Sequence, residues 1–294
     1  MLSNFRDGKG LLRDGRIYEA RLVAAGFEVF RMDFTERWLH GRPVDLGIAC
    51  EGVPVDAQWK AAKRWWWSPH PEHAAPAALV EVQRFERVLL KTEWIAGLFD
   101  WGSRAVVTGF ESEDVGTGSF GRPVRVLHSR GRNSPVEKAW RIATRDRMVG
   151  DAVLVVSSGS AADSRLTQVE VIERRDEERW REVQRSCGVH VIASRHEGFS
   201  HTFWEGLSCG ATVVATDGPW WASAAGAFDA VRATMRGKTY LAHQYHVESA
   251  SLTKAIAAAV VRGMTYQVRA RQAWERERDR FRAAFSGLLH EVRT

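Results

Sequence analysis

The chain has 294 residues, 45% apolar and 27% charged, with a formal net charge of +6. That balance belongs to globular proteins with room for two cores, and no stretch approaches the roughly 18 apolar residues of a membrane-spanning helix. The pI near 9.5 suits an anionic ligand, a polyanionic acceptor or an anionic surface, and equally a solvated basic exterior.

Residues 1–5 read as the tail of a first strand, followed by a loop carrying Gly8 and Gly10. An amphipathic helix is expected over 14–25, stopping at Gly26, then strands over 27–32 and 45–50. The run 63–68, KRWWWS, leads as a strand into a stiff turn, Pro69-His70-Pro71-Glu72-His73. A strand over 87–92, a helix through Phe99 and a strand over 105–110 follow. Strands alternating with helices predict a parallel, doubly wound sheet. Residues 111–122, ESEDVGTGSFGR, turn acidic and then glycine-rich. They are the best linker in the chain, which predicts domains over 1–118 and 119–294.

The alternation then restarts. Strands are expected over 124–129, 152–158 and 168–173, with Pro135 opening a helix at its first position and a charged helix over 176–186. Residues 187–221, CGVHVIASRHEGFSHTFWEGLSCGATVVATDGPWW, hold the densest pattern. An apolar strand over 189–193 runs into a polar loop, a short helix closed by Cys209-Gly210, and a β-branched strand over 212–216. This is a βαβ unit whose ligand face is the loop after its first strand. Glu197 and Glu205 flank that loop, eight positions apart. The remainder, 251–292, reads as helical, with mixed charges at helical spacing over 269–282.

The stretch HEGFSHTFWEGLSCGATVVATDGP resembles the C-terminal signature of retaining, nucleotide-sugar-dependent glycosyltransferases of the GT-B fold. Their pattern is E-G-F-G, a pair of glutamates separated by seven residues, a small residue before Cys-Gly, an apolar strand and a Thr/Ser-Asp/Glu turn. This chain departs from it in having Ser200 where the second glycine stands. Residues 124–138 resemble the family's strand and basic phosphate loop, and 87–110 the last strands of its other domain. The resemblance implies an α/β architecture of two Rossmann-like domains with a cleft between them. It also implies that Glu197 contacts the donor sugar and Glu205 the ribose hydroxyls, and that no metal is bound.

The residue chemistry runs beside this. A diphosphate needs anion-binding groups, and the start of the helix after Gly198 offers backbone N–H groups near Phe199, Ser200 and His201. Glycine at 198 permits close approach of backbone to ligand. Glu205 on an exposed helix would instead pair locally. Arg130, Arg132 and Lys138 are the cationic candidates, Arg132 being favoured by bidentate geometry; a solvated basic loop is the alternative. Lys138-Ala139 stands where the family has Lys-Gly. In the first domain His70, with His73 second, follows a strand end and is the catalytic candidate beside Glu197; a histidine packed in a proline-stiffened turn is the alternative. Lys91 and Thr92 end the next strand and face the same cleft, and Gly8 lies in a loop that approaches the donor. Asp217 ends the strand after the key helix, near the nucleotide or as a cap. His196 and His201 lack the acidic partners of a metal site.

These readings predict a glycosyltransferase, a hexosyltransferase acting with retention. The nucleotide-sugar is its substrate and it has no resident cofactor. The acceptor is a glycan, a lipid-linked glycan or DNA. One alternative is a bacteriophage-type DNA glycosyltransferase acting on hydroxymethylated bases; another is a non-catalytic nucleotide or nucleic-acid binding module. The basic Trp run and the 13 tryptophans fit sugar or base contacts, although most such rings are core. Three scattered cysteines without CxxC spacing, and an opening MLSNFRDGKG without an apolar signal core, predict a cytoplasmic protein.

Overall fold

The computed structural model describes residues 1–3, 10–37, 41–128, 134–157, 166–172, 177–263 and 266–293. Six parallel strands form the first sheet: β1 (Leu2–Ser3), β2 (Met32–Asp33), β3 (Val44–Cys50), β4 (Ala62–Ser68), β5 (Arg87–Leu90) and β6 (Ala105–Val107), in the order β2-β1-β3-β4-β5-β6. Their crossovers hold α1 (Gly10–Ala24) and three single-turn helices, α2 (Asp56–Trp59), α3 (Pro76–Leu79) and α4 (Glu93–Ala96). The expected strand over 27–32 shrinks to two residues, because β1 offers it only a two-residue ladder. The helix expected through Phe99 is the single turn α4, capped by the Thr92 hydroxyl, which accepts from the Ile95 N–H at 3.2 Å.

The second sheet is also parallel: β7 (Arg125–His128), β8 (Val153–Ser157), β9 (Val169–Ile172), β10 (Val189–Ile192), β11 (Thr212–Thr216) and β12 (Asp229–Val231), ordered β12-β11-β10-β7-β8-β9. Helices α5 (Pro135–Arg145), α6 (Glu177–Ser186) and α7 (His201–Ser208) connect them. Pro135 sits at the first position of α5, and the Ser134 hydroxyl accepts from the Glu137 N–H at 3.2 Å. Two elements have no counterpart in the sequence reading: β12, and an antiparallel ribbon of β13 (Ala233–Thr239) and β14 (Ala242–Val247). The C-terminal helical region is two helices, α8 (Ser249–Arg262) and α9 (Gln267–Arg293). Gly263 ends the first at φ 65°.

One apolar cluster joins the two halves. Tyr18, Ile48 and Trp66 of the first half meet Phe203, Trp220 and Trp221 of the second, with Phe281 and Phe285 of α9 between them. Helix α9 is about 40 Å long at 1.5 Å per residue and crosses back onto the first half, where Tyr18 packs against Phe281 and Phe285. The Trp run belongs to this interior: Trp65, Trp66 and Trp67 are all buried, since β4 is an inner strand of a sheet packed on both faces. These rings are therefore unavailable to a sugar or polyanion. No helix among the described residues is long and apolar enough to cross a membrane.

Candidate active site

In each sheet the strand order reverses once, between β1 and β3 in the first and between β7 and β10 in the second. Parallel α/β sheets bind ligands in the crevice outside the carboxyl ends of the strands at such a reversal. The crevices are bordered by the start of α1, the turn after β4 and the end of β5 on one side. The 193–200 loop and the start of α7 border them on the other.

The two sides touch through a buried polar cluster centred on Asp14, in the first turns of α1. Its Oδ2 is 2.7 Å from His70 Nε2 and bonded to the Lys91 ammonium; its Oδ1 is 2.8 Å from His201 Nε2. Lys91 is fully buried, 2.8 Å from the same His70 nitrogen and 4.4 Å from the centre of the Phe110 ring. Burial alone would raise the Asp14 carboxyl, but Lys91, His201 and His70 hold it well below the usual carboxylate range. Burial and Lys91 pull the His70 imidazole down; the Asp14 and Glu72 carboxylates beside it outweigh both and raise it to about 9. The contacts at Nε2 compete: protonated, the nitrogen donates to Asp14 Oδ2; neutral, it accepts from Lys91.

Glu72 completes the group. Its Oε1 accepts from the Gly198 N–H at 3.1 Å and lies 3.6 Å from His70 Nδ1. Burial raises its carboxyl, yet His70 brings it down to about 2. Two carboxylates thus balance two cations in a buried setting, which lowers the cost of burying each one. At Gly198 the halves are in close contact. A Cβ there would sit 3.1 Å from Glu72 Oε2 and 3.3 Å from His70 Nδ1.

Of the predicted site residues, His70, Gly198 and His201 come together here. Glu197 lies one residue away, buried, accepting from the Ser194 hydroxyl at 2.5 Å. Ser200, the N-cap of α7, has φ 66° and ψ 85°, the left-handed region where the family pattern has glycine. Phe199 is core: its ring stacks on Trp204, centroids 5.6 Å apart, leaving only its backbone for a ligand. Glu205 is 1% exposed, with Oε1 on the Arg13 guanidinium and Oε2 accepting from Gln184 Nε2 at 2.7 Å. The alternative of a local pair on an exposed helix does not hold, since the position is an interior one. Helix α7 carries it against the sheet, where Gly206 allows an approach so close that a Cβ would lie 2.8 Å from His190 Nδ1. Lys138 is exposed in α5, and Asp217 is exposed and does not cap the turn Pro219–Ala224. Gly8, Arg130 and Arg132 lie outside the described residues.

Arg13, Asp14, Glu72 and Gln184 were not singled out by sequence. Asp14 read as a helix start, and its partners lie 56 to 187 positions away. Glu72, two residues after His70 in the same stiff turn, carried the only local signal.

No family model and no curated protein matches the sequence. Solved structures do. The pneumococcal O-GlcNAc transferase GtfA in complex with UDP and GlcNAc superposes with TM-score 0.65 at 12% identity, over 84% of this chain and 57% of that one. Sucrose-phosphate synthase from Thermosynechococcus elongatus gives 0.59 at 11%, over 94% and 76%. An alpha,alpha-trehalose-phosphate synthase (UDP-forming) from Burkholderia xenovorans in complex with glucose-6-phosphate gives 0.58 at 9%, over 96% and 78%. The chain spans 57% and 61% of the chains in the two GtfA-containing structures. These likenesses show the fold: two Rossmann-like α/β domains in the GT-B arrangement.

Proposed function

We propose that the chain is a glycosyltransferase that moves a hexose, with retention, from a nucleotide-sugar to an acceptor hydroxyl. The observation that carries this reading is the meeting of the 194–201 loop with the Asp14–His70–Glu72–Lys91 cluster, across the strand-reversal points of two parallel sheets. The similar structures were solved with UDP and GlcNAc, with UDP-2-fluoro glucose and with glucose-6-phosphate. In this reading residues 1–118 form the acceptor side and 119–294 the donor side.

The donor diphosphate lies against the backbone N–H groups that open α7; Arg130, Arg132 and Lys138 are its cationic candidates by residue chemistry. Glu197 keeps lone-pair sites beyond the one given to Ser194 and accepts from a hydroxyl of the donor sugar. Glu205 receives the ribose hydroxyls once Arg13, whose side chain is 21% exposed, swings off it. Arg13 is thereby freed for the phosphates. His70, its Nε2 held between Asp14 and Lys91, acts by its charge and not as a general base. With Lys91 it supplies positive charge beside the leaving group, an electrostatic contribution made without reorganisation. Closure of the halves excludes water, so that transfer outruns hydrolysis.

The test is incubation with a panel of UDP-, GDP- and ADP-sugars, following donor hydrolysis and mass gain on candidate acceptors. Glu197→Ala is expected to lower turnover by about 10² or more, as for loss of one well-placed polar group. Absence of turnover with every donor, or wild-type rates in both Glu197→Ala and Glu205→Ala, overturns the assignment.

A further inference from the structure

The ribbon β13–β14 takes no part in either sheet, yet it spans the mouth of the cleft. Its inner side is tied to the second half, where the Tyr245 N–H donates to the Arg195 carbonyl at 2.7 Å and the Tyr245 ring packs edge-on against Trp220. Its turn reaches the first half. The Leu241 N–H donates to the Pro71 carbonyl at 3.2 Å, one residue from His70, and the Leu241 side chain packs on that half's core.

The ribbon is basic. Residues 230–247 hold Arg232, Arg236, Lys238 and two histidines and no Asp or Glu. Arg195, at the ribbon's foot, adds a fourth exposed cation. None of these four makes an ion pair among the described residues. On the α1–α9 side several guanidinium groups are neutralised in pairs, Arg21 and Arg282 on Glu111, Arg181 on Glu113, Arg271 on Asp114. The register slips at Arg236, between Met235 opposite Tyr245 and Gly237 opposite Gln244. Such a bulge re-aims a side chain out of the ladder. Thr234, opposite His246, faces away from Tyr245, whereas Lys238, opposite His243, shares the face of Tyr245; the half-buried His246 imidazole is lowered by partial burial and by both Arg195 and Arg236. Beside them Tyr240 projects from the turn, 53% exposed.

Exposed like charges on one element raise a local positive potential that attracts a polyanion. An exposed ring near them offers a face on which a base can stack. Cations that track a phosphate backbone, next to an aromatic side chain on which a base stacks, are the two components of single-stranded nucleic-acid binding. We propose that this ribbon binds a nucleic-acid strand around its bulge and turn, through phosphate contacts from Arg195, Arg232, Arg236 and Lys238 and base stacking on Tyr240. Because the turn ends beside His70, the strand is delivered to the mouth of the cleft. Its role as acceptor rests on the proposed glycosyl transfer, whereas the binding does not.

The experiment is fluorescence anisotropy with a fluorescein-labelled single-stranded DNA of about 20 nucleotides, titrated with the full chain at several salt concentrations. Four phosphate contacts on a single strand give a slope of about −3 for log affinity against log salt. Arg236→Ala with Lys238→Ala is expected to halve that slope. Tyr240→Ala should weaken binding by about tenfold, the effect of losing one stacked base. Arg145→Glu, an exposed cation at the far end of α5, is the charge control and should change little. Absence of DNA binding overturns the proposal. So does equal weakening by Arg145→Glu, or preferential binding of anionic phospholipid vesicles or dextran sulfate with no effect of Tyr240→Ala. No sugar-nucleotide is needed for this titration. A protein that binds DNA but turns over no donor upholds the ribbon and sinks the transferase reading; one that turns over donor without binding DNA does the reverse.

Discussion

Ser200 shows how one backbone angle links sequence pattern to site. The 194–201 loop must turn sharply from β10 into α7, and it does so with residue 200 at φ 66°. An L-residue in that region costs roughly 1–2 kcal/mol, and glycine relieves it at an unfolded-state entropy cost of about 0.5–1 kcal/mol. Ser200→Gly is therefore expected to stabilise the protein by about 0.5–1 kcal/mol in urea unfolding; a loss of stability would show that the serine hydroxyl does more than fill a turn. The departure from the family pattern at this position was visible in sequence, but the strain it carries was not, because φ is set by what the loop must join. Glu205 teaches the complementary lesson. Its spacing from Glu197 was legible, while its burial against Arg13 and Gln184 depended on which face of a seven-to-eight-residue helix meets the sheet.

At the scale of elements, long apolar strands and the helices between them could be read because their periodicity is strong. Strands β3, β4, β7, β8, β10 and β11 lie within a residue or two of the spans expected. What failed were elements held by tertiary partners. β1 and β2 are two residues each and exist through their ladder to one another and to β3. The ribbon β13–β14 is polar on its outer side and carries no alternating apolar pattern to announce it. The break between α8 and α9 rests on the backbone angle at Gly263. Helix α7 invites a test of how closely it must pack. A methyl at 206 would lie 2.8 Å from His190 Nδ1 and 3.0 Å from Val213, so Gly206→Ala forces the helix off β10 and β11. Overpacking of this kind costs about 1–3 kcal/mol, read as a lower urea midpoint with unchanged m-value. Because the displacement moves Glu205 with the helix, turnover should fall along with stability, whereas Ser200→Gly should leave the midpoint raised.

Across the whole molecule, the two parallel sheets were legible from the repeated strand–helix alternation, and the GT-B arrangement from the resemblance carried by residues 196–219. What fastens the halves was not, since it is assembled from Asp14, His70, Glu72 and Lys91 on one side and Gly198 and His201 on the other. Protons report on that joint. Folding raises His70 from 6.5 to about 9, so the folded protein holds a proton there that the unfolded chain releases. The stability this contributes is complete below pH 6.5 and is lost as pH rises through about 9. Glu72, lowered from 4.5 to about 2, contributes above pH 4.5 and loses its share as pH falls toward 2. His190, which burial lowers from 6.5 to about 4, opposes His70 by favouring the folded state as pH rises from 4 to 6.5. A single melting profile therefore mixes the three. Comparison of wild type with His70→Gln isolates the joint, since His190 cancels in the difference. The stability gap between the two proteins should be widest near pH 6 and narrow between pH 6.5 and 9, by up to about 1.4 kcal/mol per pH unit for one proton. A gap that stays constant across that range would mean that His70 is neutral in the folded protein, and that the cluster joins the halves without its charge.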